Sequence, residues 1–484
     1  MNNLKKLIIP CWVTTILLSG CGSDGTKQSD FEIPAPVEAV LPGDDYDVGA
    51  FEISNAHVKY EAVLDAYVFT IETSEEAGSV APVPAGQVDG APVLGYVFVT
   101  DLRPEDIGYA GVQGTVALGI TSHPDFDDTP LWDEDNNSAY DDDGVVYHSH
   151  WVVLEENTLA GEGLAVVQAS VDDVLTPTSP MAMYLDSPGF TIVEKGREIS
   201  VIVPVNAVKR QADFVSNALT AYLEVAIIDQ TPLLKVERIY SELDAQLVIQ
   251  NSARVPAFNW PSLSTEMTTE SFNLVNTSVD YLEEIDSLIF SMTTLAPAAT
   301  STVMPIGEVN GAPVLGYVFP TNVSPNAVGF KNIDDGILAL AVTTHPDFDD
   351  TPLWDENANG DFLDDGVVYH THWVALVPDE ASQAGLSVPY TLDQSNLPPT
   401  APMPMYLDSP NFHAYASDNT LRVIVPTQRV NNITSFNFDG VTATMNVDTT
   451  GEGPVLRVNG VIDVQSGDLS LPYTVTEKLL VDFQ

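Results

Sequence analysis

Two histidines one residue apart occur twice in this chain, in DDGVVYHSHWVVL at 142–154 and DDGVVYHTHWVAL at 364–376. Both sit in apolar, β-branched runs that read as strands. On a strand, residues i and i+2 share a face with Cα atoms roughly 6.5 Å apart. His148 and His150, and likewise His370 and His372, can therefore aim two imidazoles at one metal ion, zinc or copper by ligand type. A third histidine accompanies each pair. His123 and His345 close the runs TVALGITSH and LALAVTTH. Six of the eight histidines fall in these two triplets; only His57 and His413 stand outside. Three neutral imidazoles with a fourth position open make a catalytic or transport metal site. The competing reading is a set of ordinary histidines hydrogen-bonded to nearby carboxylates.

The carboxylates are close in sequence. Residues 123–143 hold nine Asp or Glu and residues 345–365 hold eight, with no Lys or Arg in either. The segment DENANGDFLDD resembles the start of an EF-hand or dockerin-type calcium loop. That resemblance implies Asp355, Asn357 and Asn359 as alternating ligands and Gly360 at the turn. The twelfth position is Gly366 instead of Glu, leaving Asp364 and Asp365 as substitutes. The first copy offers Asp133, Asp135 and Asn137, then Asp141, Asp142 and Asp143, with Ser138 where glycine is preferred. A hard cation would relieve the repulsion among so many carboxylates; a solvated acidic hairpin tip is the alternative.

Met181 and Met183, and Met403 and Met405, form two Met-x-Met pairs. Thioethers suit copper(I), although methionine also fills gaps in apolar cores. G-x-S-x-G, H-E-x-x-H and phosphate-cradling glycine loops are missing. If the triplets activate water, the general base must come from Asp125, Asp127 and Asp128 or their copies.

The elements that position these residues are themselves duplicated. GQVDGAPVLGYVF at 86–98 matches GEVNGAPVLGYVF at 307–319, and HPDFDDTPLWDE at 123–134 recurs at 345–356. PMAMYLDSPGF at 180–190 matches PMPMYLDSPNF at 402–412. The offset holds at 221 to 222 residues, so each copy is domain-sized and not a solenoid repeat. The expected organisation is a signal peptide over 1–20, a lipidated cysteine and flexible tether over 21–48, one β domain over 49–250, a linker over 251–267 and a second β domain over 268–484. VLGYVFV, GTVALGITS, GVVYHSHWVVL and ISVIVPV have strand length and composition, separated by Gly, Pro, Asn and Asp. SNALTAYLEVAI is ambiguous alone, but its counterpart FDGVTATMNVD favours strand. The expected fold is all-β: two tandem, duplicated, β-sandwich-like domains.

The chain of 484 residues carries 17 basic and 69 acidic residues, a formal net charge of −52. That balance argues against a nucleic-acid partner or an anionic membrane surface. At the N-terminus, Lys5 and Lys6 precede a short apolar run ending in Leu18-Ser19-Gly20-Cys21, which resembles a bacterial lipobox. The resemblance implies cleavage before Cys21, lipidation of its thiol and anchorage in a membrane through it. Gly22 after the cysteine implies the outer membrane, within the cell envelope. Cys11 would leave with the signal, so the mature chain would have no cysteine for disulfides or thiol chemistry.

The YHSHW and YHTHW strings are similar to the zinc strand of alpha-class carbonic anhydrases, where an aromatic-His-x-His-Trp segment supplies two zinc ligands. The likeness implies zinc on His148 and His150, and on His370 and His372. It covers five residues per copy. That family's third histidine lies downstream, whereas His123 and His345 lie upstream. Three functions fit these residues: an envelope lipoprotein binding one zinc or copper per repeat with calcium in the adjacent loop, a metal-dependent hydrolase or lyase using the same triplet, or a calcium-stiffened surface or adhesive module.

Overall fold

The computed structural model describes residues 43–83, 88–109, 111–124, 145–167, 190–251, 268–304, 308–330, 333, 336–346, 367–389 and 412–480, with the backbone of 185–186 and 407–408. Among them the ordered elements are β-strands and short 3₁₀ turns, so the all-β expectation holds. The first half contributes β1 (Ile53–Glu61), β2 (Ala66–Thr73), β3 (Pro92–Thr100), β4 (Thr115–Ser122), β5 (His148–Glu156), β6 (Leu164–Val166), β7 (Leu185–Asp186), β8 (Thr191–Lys195), β9 (Glu198–Pro204), β10 (Asp213–Ile228), β11 (Thr231–Glu242) and β12 (Leu247–Gln250). The second contributes β13 (Leu274–Leu282), β14 (Ser287–Thr294), β15 (Pro313–Pro320), β16 (Ile337–Thr344), β17 (His370–Pro378), β18 (Leu386–Val388), β19 (Leu407–Asp408), β20 (Ala414–Ser417), β21 (Thr420–Pro426), β22 (Asn437–Phe438), β23 (Val441–Asp448), β24 (Val455–Val464), β25 (Tyr473–Thr474) and β26 (Thr476–Lys478).

The sandwich-like expectation also holds, with one layer closed on itself. A small antiparallel sheet, β1-β2-β9-β8, packs against a ring of six strands, β3-β4-β5-β6-β11-β10, that closes where β10 pairs again with β3. The second half repeats both: β13-β14-β21-β20, and the ring β15-β16-β17-β18-β24-β23 closing onto β15. Closure needs strands that bend. The pairing of β10 with β11 slips between Thr220 and Ala221 and again between Tyr222 and Leu223. The pairing of β23 with β24 slips at the equivalent places, Thr442/Ala443 and Thr444/Met445. Such bulges raise the local twist and turn a sheet into a barrel.

Ring strands are buried on both faces, hence their nearly unbroken apolar composition. Alternation then assigns each residue to one of two cores. Leu94, Tyr96, Phe98, Leu118, Ile120, Trp151 and Val153 meet Phe69, Ile71, Val201 and Val203 of the small sheet. Val93, Val97, Ala117, Val166, Ala221 and Val236 fill the barrel interior. The second half divides the same way. SNALTAYLEVAI lies within β10 and is strand.

The two halves meet through a further apolar cluster. Val63, Leu64, Ala66, Val193 and Ile202 pack with Leu282, Ile285, Ile289 and Ile424. Tyr415 donates its hydroxyl proton to the Val63 carbonyl across this contact.

Candidate functional site

In β5 and β17 the side-chain alternation does two jobs. Trp151 and Trp373 enter the outer core with Val153 and Ala375, and Tyr147 and Tyr369, just before the strands, join them. The Tyr147 and Tyr369 hydroxyls donate to the carbonyls of Val80 and Ser301 at 2.7 and 2.6 Å. The opposite parity turns His148 and His150, and His370 and His372, toward the barrel interior.

The third ring arrives from the neighbouring strand. β4 pairs with β5 so that Thr121 faces His148 and Gly119 faces His150. His123 lies one residue past the end of β4, at the same end of the barrel. Ser122, just before it, donates to the carbonyl of Val145, and Thr344 makes the same bond to Val367. Thr302 reinforces the second of these, bonding both Thr344 Oγ1 and the Val367 carbonyl. These hydroxyls clamp the ligand-bearing end of one strand to the lead-in of the next.

The structure brings all six predicted histidines into two matching triangles. Ring centroids in the first are 4.6, 5.7 and 4.5 Å apart for the pairs 123–148, 123–150 and 148–150. The corresponding separations in the second are 4.6, 5.6 and 4.5 Å. In each triplet, one nitrogen per ring can be chosen so that all lie within 4.8 Å of one another, and each group could hold a metal ion. His345 Nε2 stands 2.9 Å from His370 Nε2 and 3.5 Å from His372 Nε2. A tetrahedral zinc with Zn–N bonds near 2.05 Å sets its ligand nitrogens about 3.3 Å apart, which these values bracket.

The tautomers agree with ligation. His123 Nδ1 lies 3.0 Å from the Pro124 carbonyl, and His345 Nδ1 lies 3.0 Å from the Pro346 carbonyl. A carbonyl only accepts, so the proton is on Nδ1 and Nε2 presents its lone pair to the cluster. His148 Nδ1 makes the same contact with Val146 at 3.2 Å. Burial, followed by the neighbouring His148 and His123, holds the His150 pKa well below the ordinary histidine value. The ring is thus kept in its neutral, metal-binding form.

The barrel interior next to the second triplet is not completely filled. A cavity of about 120 Å³ runs along it, lined by His345, His372, Thr343 and a wall of aliphatic side chains. Sequence reasoning missed Thr343 and its counterpart Thr121. Both are buried, and neither hydroxyl has a hydrogen-bond partner among the described residues. A usable signal was present: each sits two residues before the third histidine and therefore shares its strand face.

Asp133, Asp135, Asn137, Asp141, Asp142, Asp143, Asp355, Asn357, Asn359, Asp364 and Asp365 lie outside the described residues, as do Met181, Met183, Met403, Met405 and Cys21. The backbone segments after the methionine pairs do reach the ligand strands: Asp186 is registered opposite His150, and Asp408 opposite His372. Of the two remaining histidines, His57 is on β1, and His413 is buried just before β20. Neither belongs to a triplet.

Compared with protein-family models and with curated protein sequences, the chain matches none.

Proposed function

We propose that this chain is a cell-envelope lipoprotein, anchored through Cys21, whose two halves each hold one transition-metal ion on a histidine triplet. The observation that carries the reading is the duplicated triangle of imidazoles, five of them buried and His148 half-buried, with its nitrogen spacing in the second half close to a tetrahedral edge. Zinc is the first choice, since the donors are imidazoles at tetrahedral spacing; copper is the alternative, through added thioethers from the Met-x-Met pairs. Calcium occupies the acidic segments between the third histidine and the ligand strand. Burial of the rings supports a resident ion over one captured and released at an open surface.

A second reading, a metal-dependent hydrolase or lyase, is favoured by the cavity against His345 and His372. A vacant coordination position facing a pocket is what such chemistry requires.

The test is metal content. The full chain, solubilised in detergent and purified without chelator or nickel resin, should carry about two zinc or copper ions. Replacing His148, His150, His370 and His372 together by alanine should remove both. Calcium alone, unchanged in that variant, would overturn the triplet assignment and leave the calcium-stiffened surface module.

A further inference from the structure

We propose that the second barrel binds a short aliphatic carboxylate, with its carboxylate on the metal held by His345, His370 and His372 and its hydrocarbon tail along the barrel interior. This rests on the metal assignment above and adds to it the class of exogenous ligand.

The tail follows from the lining. Beyond the two histidines and Thr343, the cavity wall is aliphatic, with Val314, Val318, Ala341, Val374, Ala443 and Val458 among its members. Its volume of about 120 Å³ compares with the roughly 150 Å³ of a dry apolar cavity that accepts benzene. A tail on the order of four or five carbons is accommodated. Small residues make the room: Gly316, Ala341 and Ala443 stand where larger side chains would close it. A Cβ at Gly316 would come within 2.9 Å of Met445 Cε and 3.2 Å of Thr343 Cγ2.

The head follows from charge. Three neutral imidazoles leave a divalent ion with its full double charge beside an apolar chamber, an arrangement a monoanion relieves. Thr343 supplies the matching donor. It lines the cavity and stands opposite His370, and its buried hydroxyl has no partner among the described residues. Such a group is costly to leave unsatisfied. A carboxylate on the metal offers it an acceptor: one oxygen on the ion, the other toward Oγ1.

The way in is at the far end. Ile337 and Val461, both lining the cavity, are 38% and 42% exposed. Ile337 opens β16 and His345 follows its end, so the chamber runs the length of that strand from solvent to metal.

The experiment uses the full chain in detergent, loaded with cobalt(II), with His123, His148 and His150 replaced by alanine so that the visible spectrum reports only the second triplet. Titration with acetate, butyrate, pentanoate and octanoate follows. Affinity should rise about fourfold per methylene from acetate to pentanoate and then level or fall. Thr343→Val should weaken butyrate binding about tenfold without changing the cobalt spectrum in its absence. Ala443→Phe, which fills the chamber, should abolish the chain-length preference. A normal cobalt spectrum that no acid perturbs, or affinities indifferent to chain length, would overturn the inference while leaving the metal site standing. A chain that takes up no cobalt overturns both.

Discussion

Thr343 stands directly opposite His370 across the β16–β17 ladder, as Thr121 stands opposite His148 across β4–β5. Each triplet is thus built from two adjacent strands of one ring and borrows no histidine from the other half. The sites should load independently. His372→Ala should lower metal content from about two ions per chain to about one, and His150→Ala should do the same. Mass spectrometry of each variant checks this. Loss of both ions from a single substitution would mean that the halves share a site.

The small sheets hold the barrels from outside through aromatic contacts. Phe290 packs edge-on against Phe319 at 5.2 Å and stacks with Phe436 at 6.1 Å. Phe290→Ala should cost about 3–5 kcal/mol by leaving a cavity in this core. Denaturant unfolding measures it. A cost below about 1 kcal/mol would show that the sheet and the barrel are not mutually dependent.

His413 is buried beside the junction of the halves, with its ring stacked on Tyr415 at 5.5 Å. Burial, the largest cause, lowers its pKa from 6.5 to about 4; Asp65 pushes it upward and Arg210 downward. The unfolded chain therefore binds this proton more readily between those two values. Stability from this group is complete above about pH 6.5 and is lost as pH falls toward 4. Relative to His413→Phe, the metal-free parent should lose about 3 kcal/mol between pH 7 and pH 4. Parallel pH profiles of unfolding free energy in the two proteins would refute the assignment.

Calcium is expected to stabilise the folded chain through the acidic segments 123–143 and 345–365. At a hundredfold excess over its dissociation constant, each site would add about 2.7 kcal/mol. Replacing Asp355, Asp364 and Asp365 by alanine should remove roughly half of the calcium-dependent rise in Tm. A rise equal in the variant and the parent would place calcium elsewhere.

Local structure was legible where a single strand carries its own instructions. The run from Tyr147 to Leu154 declares its faces by parity, so the paired imidazoles and their opposition to Trp151 follow from period two alone. The third histidine was legible because the chain states it twice. Ring closure was not. It depends on bulges at Thr220–Leu223 and on long-range ladders such as Lys235 with Ala165, and neither has a compositional mark. The cavity was hidden for the same reason. Ala341 and Ala443 look like ordinary strand residues until β15 brings them into one wall.

The double use of β5 and β17 has an evolutionary consequence. Losing or gaining one residue within either strand would rotate every later side chain to the opposite face, placing tryptophan in the barrel and imidazole in the outer core. Both layers would fail at once, so no gradual route leads through a single-residue insertion or deletion there. Variation in length is confined to the connections, and a copy of this unit can change what surrounds its metal far more readily than where the metal sits.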